Sequence, residues 1–430
     1  MRLAPPKEIR EICRTLEAAG FEAWCVGGAV RDAFLGIATL DWDLATSARP
    51  EEVQRLFRRT VPVGIQFGTV GVLDRAGVLH EVTTFRHDVE TDGRHAVVKF
   101  GASLEEDLAR RDFTINAIAV HPVRLEVRDP FGGRADLAAR VIRCVGEPSE
   151  RMREDRLRAL RALRFAGRFD FTIDSATWAA IGASAPHLGR LSMERVKQEL
   201  EKVMAQVARP ARTLERYREA GILASLIPAL ADVPPARFAA IDELSHRPLA
   251  GRPARVALRL AALFAEPGGA PPRALERTLK ALRFSNVESR LAVDVARAVA
   301  ALGALETLEG DEVALRRWVA EAGRLVVPSA LRVALARALA EGGSTGDVVD
   351  ATWRRRCAAR YRRLHRRAMT IAWRDPIALG DLAVDGDDLR AIGITDGRAI
   401  GGTLQRLLQL VLADPARNRR DLLLDAARLD

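Results

Sequence analysis

A chain of 430 residues is too long for one ordinary core, and its 48% hydrophobic and 29% charged residues supply material for several folded modules. No run of about 18 or more uncharged apolar residues occurs, which excludes a transmembrane helix. The scattered cysteines (Cys13, Cys25, Cys144, Cys357) exclude a disulfide framework or a CxxC zinc site, and fit a reducing, cytoplasmic setting. The formal charge of +10 is uneven: residues 1–150 hold 20 Lys/Arg against 23 Asp/Glu, and residues 151–430 hold 47 against 34. A polyanion-binding surface is expected in the second part; the alternative is a general use of Arg as surface cation.

The opening residues 1–8 lack the apolar run of a signal peptide. A first helix is predicted over residues 7–19, where Ile9, Ile12, Cys13 and Leu16 recur at helical spacing and Gly20 stops it. A strand over 21–26 then runs into Gly27-Gly28-Ala29-Val30-Arg31-Asp32. Two glycines at a strand-to-helix turn let backbone N–H groups approach a phosphate, and Arg31 lies one helical turn on.

The next strand, 40–46, reads Leu40-Asp41-Trp42-Asp43-Leu44. Alternate side chains share a face, so Asp41 and Asp43 point one way and Leu40, Trp42 and Leu44 point to the core. Two adjacent carboxylates repel each other; a divalent cation relieves that, and Mg²⁺ suits carboxylates plus substrate phosphates. Strands follow over 69–73, 78–85, 118–120 and 125–127. In the second of these Glu81 sits among apolar neighbours, either as a third carboxylate facing the aspartates or as an edge residue in solvent. The polar stretch 86–101 is expected to be a mobile loop.

Two denser clusters come next. Arg110-Arg111-Asp112-Phe113-Thr114-Ile115-Asn116 packs three charges before a β-branched stretch, as where a buried element meets a ligand. Residues 154–165, Glu154-Asp155 through Phe165, are predicted helical, with Asp155, Arg158 and Arg161 at every third position. In an isolated helix that repeat is a surface ladder of ion pairs. After about residue 147 strand signals vanish, and helical periodicity runs on with breaks near 233–235, 266–269 and 341–344.

In their order, GGAVRD, DWD, RRDFTINAIA, Asp129-Pro130-Phe131-Gly132-Gly133, EDRLRALRALRF and Ser192-Met193-Glu194-Arg195-Val196-Lys197 resemble class II tRNA nucleotidyltransferases, the bacterial CCA-adding and poly(A) polymerase family of the polymerase β superfamily. The resemblance spans roughly residues 24–205, with a weaker echo in residues 397–402 and 414–418. It implies an α+β fold: a polymerase-β-like head with a small mixed sheet (1–147), then an all-α neck that recognises the base (148–205), body (206–345) and tRNA-binding tail (346–430). It implies that Asp41 and Asp43 hold two Mg²⁺ ions, with Glu81 beside them. Gly28 and Arg31 would contact the triphosphate, and Arg111 with Asp112 the sugar and phosphates. Asp155 and Arg158 would read the base, supported by Arg161 and Arg164.

The implied reaction is addition of CCA to the tRNA acceptor end from CTP and ATP, with pyrophosphate released. Cytosine and adenine share an amino donor beside a ring-nitrogen acceptor, which a carboxylate and a guanidinium match; guanine and uracil present the reverse and leave buried charges unpaired. The family also uses a flexible loop after the third strand when changing from C to A. Here it is Arg86-His87-Asp88 through Asp92-Gly93-Arg94-His95, with Ala96 where many relatives have Pro. The same motifs occur in A-adding enzymes and poly(A) polymerases, and a catalytically inactive RNA-binding relative is the reading from another class. The basic run Arg354-Arg355-Arg356 to Arg366-Arg367, interleaved with Trp353 and Tyr361 and followed by Trp373, reads equally as tRNA phosphate contact and as a solvated helix face beside a packed aromatic stripe. No His-Asp dipeptide follows residue 200, so a second phosphohydrolase activity is not expected.

Overall fold

The computed structural model describes residues 5–39, 41–91, 96–244, 254–269, 272–342 and 351–428. The chain divides into two compact units, residues 1–207 with 216–228, and residues 208–215 with 229–430. The first is α+β and the second helical.

The strands of the first unit are β1 (Ala23–Val26), β2 (Asp43–Thr46), β3 (Thr60–Gly64), β4 (Thr69–Leu73), β5 (Leu79–Thr84), β6 (Arg86–Thr91), β7 (Ala96–Phe100), β8 (Ala119–Val120), β9 (Val127–Arg128), β10 (Val141–Ile142) and β11 (Thr172–Ile173). Its helices are α1 (Lys7–Ala18), α2 (Gly28–Phe34), α3 (Pro50–Leu56), α4 (Leu104–Ala109), α5 (Gly133–Ala139), α6 (Pro148–Glu154), α7 (Leu157–Phe169), α8 (Ser175–Ser184) and α9 (Met193–Gln206). Seven strands form one mixed sheet in the order β3-β4-β5-β2-β1-β8-β9. β2 and β5 run parallel in it, Leu44 opposite Val82, while the other neighbours are antiparallel. Trp24, Val26, Ala45, Phe85, Leu104, Leu108 and Ala119 close a core on this sheet.

Local chemistry explains the elements. α1 buries Ile9, Ile12, Cys13 and Leu16 on one stripe, and ends where Gly20 takes a φ of +86°. α4 opens on a reciprocal cap, in which Ser103 N–H donates to Glu106 Oε2 at 2.6 Å and Glu106 N–H to Ser103 Oγ at 3.3 Å.

Four expectations are corrected. The stretch expected as a mobile loop is an antiparallel ribbon, β6 with β7, pairing Arg86 with Phe100 and Thr91 with Ala96; residues 92–95 lie outside the described residues. Its polar composition masked β-branched Val97 and Val98, which suit a pleated strand. β2 begins at Asp43, so Asp41 precedes the strand, and Leu40 lies outside the described residues. β3 escaped prediction because Pro62 and Gly64 depress strand signals; as the edge strand it tolerates a residue without an N–H. A strand also occurs past residue 147: β11 pairs parallel with β10.

In the second unit, helices Ala254–Phe264 and Asn286–Ala300 pack together, as do Val327–Gly342 and Ala351–Arg374. A separate apolar cluster near the C-terminus joins Val384, Leu389, Ile400, Leu407, Val411 and Leu423. Among the described residues no helix is long and apolar enough to cross a membrane.

Candidate active site

A cleft of about 510 Å³ opens in the first unit. Gly28, Arg31, Asp43, Arg111, Asp112, Asp155, Arg158, Arg161 and Arg164 line it together, although the sequence spreads them over residues 28–164. Asp41 and Glu81 are not among its lining residues. Gly27, Arg110, Asn116, Phe165, Arg168, Lys202 and Gln206 complete the wall. Asn116 and Phe165 belong to clusters already singled out in the sequence. Lys202 and Gln206 sit on α9, and only its packing on α7 brings them here.

The glycine turn forms one edge. Gly27 caps α2 with a φ of +77°, and a Cβ there would stand 3.0 Å from Arg111 Nη1 and 4.0 Å from Asp43 Oδ2. Both the backbone angle and the space therefore call for glycine. Arg31 is buried: its Nε donates to Asp32 Oδ1 at 2.8 Å, Nη1 donates to Asn116 Oδ1 at 2.6 Å, and its guanidinium lies 5.0 Å from the Phe165 ring centre. Burial lowers its proton affinity while Asp32 opposes that.

Asp43 faces the other charges. Burial pushes its carboxyl up to about 6, with the negative charges of Asp41 and Glu81 adding to the shift and Arg111 opposing it. Asp41 is exposed and Glu81 half-buried. These three supply oxygen donors only, the chemistry a hard divalent cation prefers. Another trio is closer: among the described residues, Cys13, Glu17 and His121 alone bring three such ligand atoms within 4.8 Å of one another. That trio is a hydrogen-bonded pin rather than a metal site. His121 Nδ1 accepts the N–H groups of Val123 and Arg124 at 3.3 and 3.0 Å, so Nε2 carries the proton and donates to Glu17 Oε1 at 2.8 Å. Burial also pushes the Cys13 thiol up to about 12, which keeps it protonated.

The opposite wall comes from α6, α7 and α9. Residues 154–165 are not one helix: Asp155 ends α6, and α7 begins at Leu157. Nor do the arginines of α7 form a solvent ladder, since Arg158 and Arg164 are 8% and 4% exposed. Arg158 donates to Glu154 Oε2 at 2.6 Å and to the carbonyls of Arg151 and Arg110 at 3.1 and 3.0 Å. Arg161 is held by Asp112 at 2.7 Å. Burial raises the Asp112 carboxyl, but Arg161 and the Asn116 amide outweigh it and hold the group below its ordinary value. Arg164 donates to the buried Glu199 at 2.6 Å. Asp107, 1% exposed, holds Arg110 at 2.8 Å and Arg111 at 3.2 Å from behind. The Nε of Arg111 is buried and has no hydrogen-bond partner among the described residues.

Eight cationic side chains thus line the cleft against three carboxylates, and ion pairs behind them fix their directions. Such a surface has the charge to suit a polyanion and presents it without the cost of reorganising it.

In the second unit, the basic run forms helix Ala351–Arg374, with some of its side chains paired and others exposed. Tyr361 is buried, Arg354 pairs with Glu243 and Arg360 with Glu309, each at 2.7 Å. Arg355, Arg362, Arg366 and Trp373 are exposed along one line.

Two family models match the chain: the poly(A) polymerase head domain over residues 23–143, and a probable RNA- and SrmB-binding site of polymerase A over residues 170–233. The chain is 36% identical over 428 residues to the CCA-adding enzyme of Latilactobacillus sakei subsp. sakei, covering 98% of this chain and 97% of that one. It is 48% identical over 206 residues to the CCA-adding enzyme of Geobacillus kaustophilus, covering 47% and 50% of the two chains. Among solved structures it is similar to the Bacillus stearothermophilus CCA-adding enzyme in complex with CTP, with a TM-score of 0.74, 32% identity, and coverage of 100% and 99%.

Proposed function

The chain belongs to the CCA-adding enzyme family of nucleotidyltransferases, and from that premise we propose that it adds C, C and A to the 3′ end of tRNA from CTP and ATP, releasing pyrophosphate. The observation that carries this reading is the cleft in which Asp43, Arg111, Asp112, Asp155 and Arg158 meet. The similarity to a relative solved with CTP extends over the whole chain. In this reading residues 1–147 are the catalytic head, 148–205 the base-recognising neck, 206–345 the body and 346–430 the tRNA-binding tail, working in the cytoplasm.

Asp41 and Asp43 would hold two Mg²⁺ ions, with Glu81 beside them. The mutual repulsion that helps to keep Asp43 near 6 is what a bound cation relieves. Bound there, the ions supply Lewis-acid stabilisation of the reacting phosphate and activation of the tRNA 3′ hydroxyl. The rest belongs to side chains of this chain. Gly28 leaves backbone room for the triphosphate, which Arg31 and Arg111 neutralise. Asp112 fixes Arg161 and reaches the sugar side. Asp155 accepts from the exocyclic amine of cytosine or adenine, and Arg158 donates to the adjoining ring nitrogen, with Arg161 and Arg164 behind them. Guanine and uracil would leave both charges unpaired, which disfavours them.

The test is extension of a tRNA transcript lacking CCA, with Mg²⁺ and labelled CTP, ATP or both, resolved to single nucleotides. Growth by CCA followed by arrest is the expected result. Extension only of a tRNA already ending in CC would mean an A-adding enzyme, and an unlimited A ladder a poly(A) polymerase. No incorporation at all would return the inactive RNA-binding relative.

A further inference from the structure

The segment Ser192-Met193-Glu194-Arg195 opens α9 and has no part in the chemistry described so far. Arg195 Nη2 donates to Asp155 Oδ2 at 2.7 Å, while Asp155 Oδ1 accepts the Leu157 N–H at 3.0 Å. Both oxygens of this carboxylate are therefore gripped, one from α9 and one from the first residue of α7. The grip fixes the carboxylate plane, yet each oxygen keeps a second lone pair. The side chains of Asp155 and Arg195 remain 27% and 34% exposed, so Asp155 is oriented without being covered.

We propose that Arg195 is a positioning residue for nucleotide selection: it holds Asp155 at the angle from which its free lone pair meets the amino group of cytosine or adenine. The proposal rests on the reading of Asp155 as the acceptor for that amine. A carboxylate free to turn also accepts from the N3–H of uracil, so selectivity depends on the hold and not on the charge alone. The buried Arg164–Glu199 pair, 2.6 Å apart, ties α7 to α9 independently. Loss of Arg195 therefore leaves the helices docked.

The experiment measures kcat/KM for single-nucleotide addition of CTP and UTP to tRNA lacking CCA, in the wild type, Arg195→Met, Arg195→Lys and Asp155→Asn, with melting temperatures alongside. Arg195→Met is expected to shrink the CTP-over-UTP preference by about 10- to 100-fold, the worth of one well-placed hydrogen bond, chiefly through slower CTP addition. Arg195→Lys should recover part of the preference, and Asp155→Asn/Arg195→Met should be no less selective than Asp155→Asn. Equal loss for both nucleotides would reduce Arg195 to a structural role and overturn the proposal. A preference that collapses in Asp155→Asn but survives in Arg195→Met would overturn it while leaving the base-reading role intact. An unchanged preference in Asp155→Asn would instead sink that role. If Arg195→Met fails to fold, Arg195→Gln and Arg195→Lys carry the same comparison.

Discussion

Arg161 donates Nε to Asp112 Oδ2 at 2.8 Å and pairs Nη2 with the same oxygen at 2.7 Å, across 49 residues of sequence. Asp112 spends its other oxygen on Phe113 N–H and the Asn116 amide, both at 2.9 Å. One carboxylate thereby joins the segment after α4 to the middle of α7, two walls of the same cleft. Asp112→Asn is expected to lower stability by about 1.5–3 kcal/mol, the range for a hydrogen bond to a charged group. A double-mutant cycle with Arg161→Met should show the two losses to be non-additive. The sign with pH follows from the lowered carboxyl: its stabilisation is complete above the unfolded value near 3.9 and fades as pH falls below it. A melting temperature in Asp112→Asn that is equal to wild type at pH 7 would contradict this.

Asp43 behaves in the opposite sense. Its folded value of about 6 lies above the ordinary 3.8, so between these values the folded protein binds more protons than the unfolded chain. Without metal, its contribution to stability falls as pH rises through this window. Metal binding must displace that proton, so Mn²⁺ affinity measured by titration should weaken up to tenfold per pH unit below about 6. Asp43→Asn should bind Mn²⁺ weakly at every pH and lose nucleotide incorporation while keeping its fold. A flat affinity profile in the wild type would remove Asp43 from the metal site.

The buried pair of α7 and α9 sets a third expectation. Arg164 and Glu199 are 4% and 2% exposed, and Glu199 also holds Lys202 at 3.1 Å. Burial raises the Glu199 carboxyl, yet Arg164 more than compensates and keeps it ionised. Glu199→Gln strands a buried guanidinium and should cost about 3–5 kcal/mol. The first unfolding transition in a thermal melt reads this directly, and a change of only a degree would mean that Arg164 finds another acceptor.

Much of this site was legible in the sequence because it rests on short-range rules. The order of short motifs brought Asp43 and the arginines into view, and the paired glycines announced a turn that the φ of +77° at Gly27 requires. What sequence spacing could not supply was the depth of α7. Arg158 and Arg164 look like surface residues at helical spacing, and only tertiary partners, the Arg110 carbonyl for Arg158 and Glu199 for Arg164, complete the bonding that makes their burial tolerable. The β6–β7 ribbon was hidden by polar residues, because strand pairing is settled by a neighbour and not by composition. Asp41 was placed in a strand that starts two residues later, a boundary that local pattern rarely fixes.

Gly27 offers a sharp local test. An alanine there must adopt a φ of +77° and places its Cβ 3.0 Å from Arg111 Nη1. With ψ at −136° this is a backbone region that side-chain-bearing residues rarely enter, at a cost of about 1–3 kcal/mol. A further effect is expected on the guanidinium, which must shift where the triphosphate would lie. Gly27→Ala should therefore lower kcat/KM for CTP and ATP alike by about tenfold or more, together with a fall of several degrees in melting temperature. Selective loss for one nucleotide would mean that the turn serves the base and not the phosphates.

The exposed line on helix Ala351–Arg374 gives the last prediction. Arg355, Arg362, Arg366 and Trp373 are separated by seven, four and seven residues, so all four fall on one stripe. Arg354 and Arg360, by contrast, are committed to Glu243 and Glu309. Replacing Arg355, Arg362 and Arg366 together by Gln should weaken tRNA binding and reduce the slope of log affinity against log salt by about three, roughly one for each phosphate no longer neutralised. Melting should be unaffected, because none of the three is buried. Arg354→Gln should do the reverse, loosening the helix while leaving the salt slope nearly unchanged. An unaltered slope in the triple variant would assign the stripe to solvent and move the RNA-binding surface to another face of the helical unit.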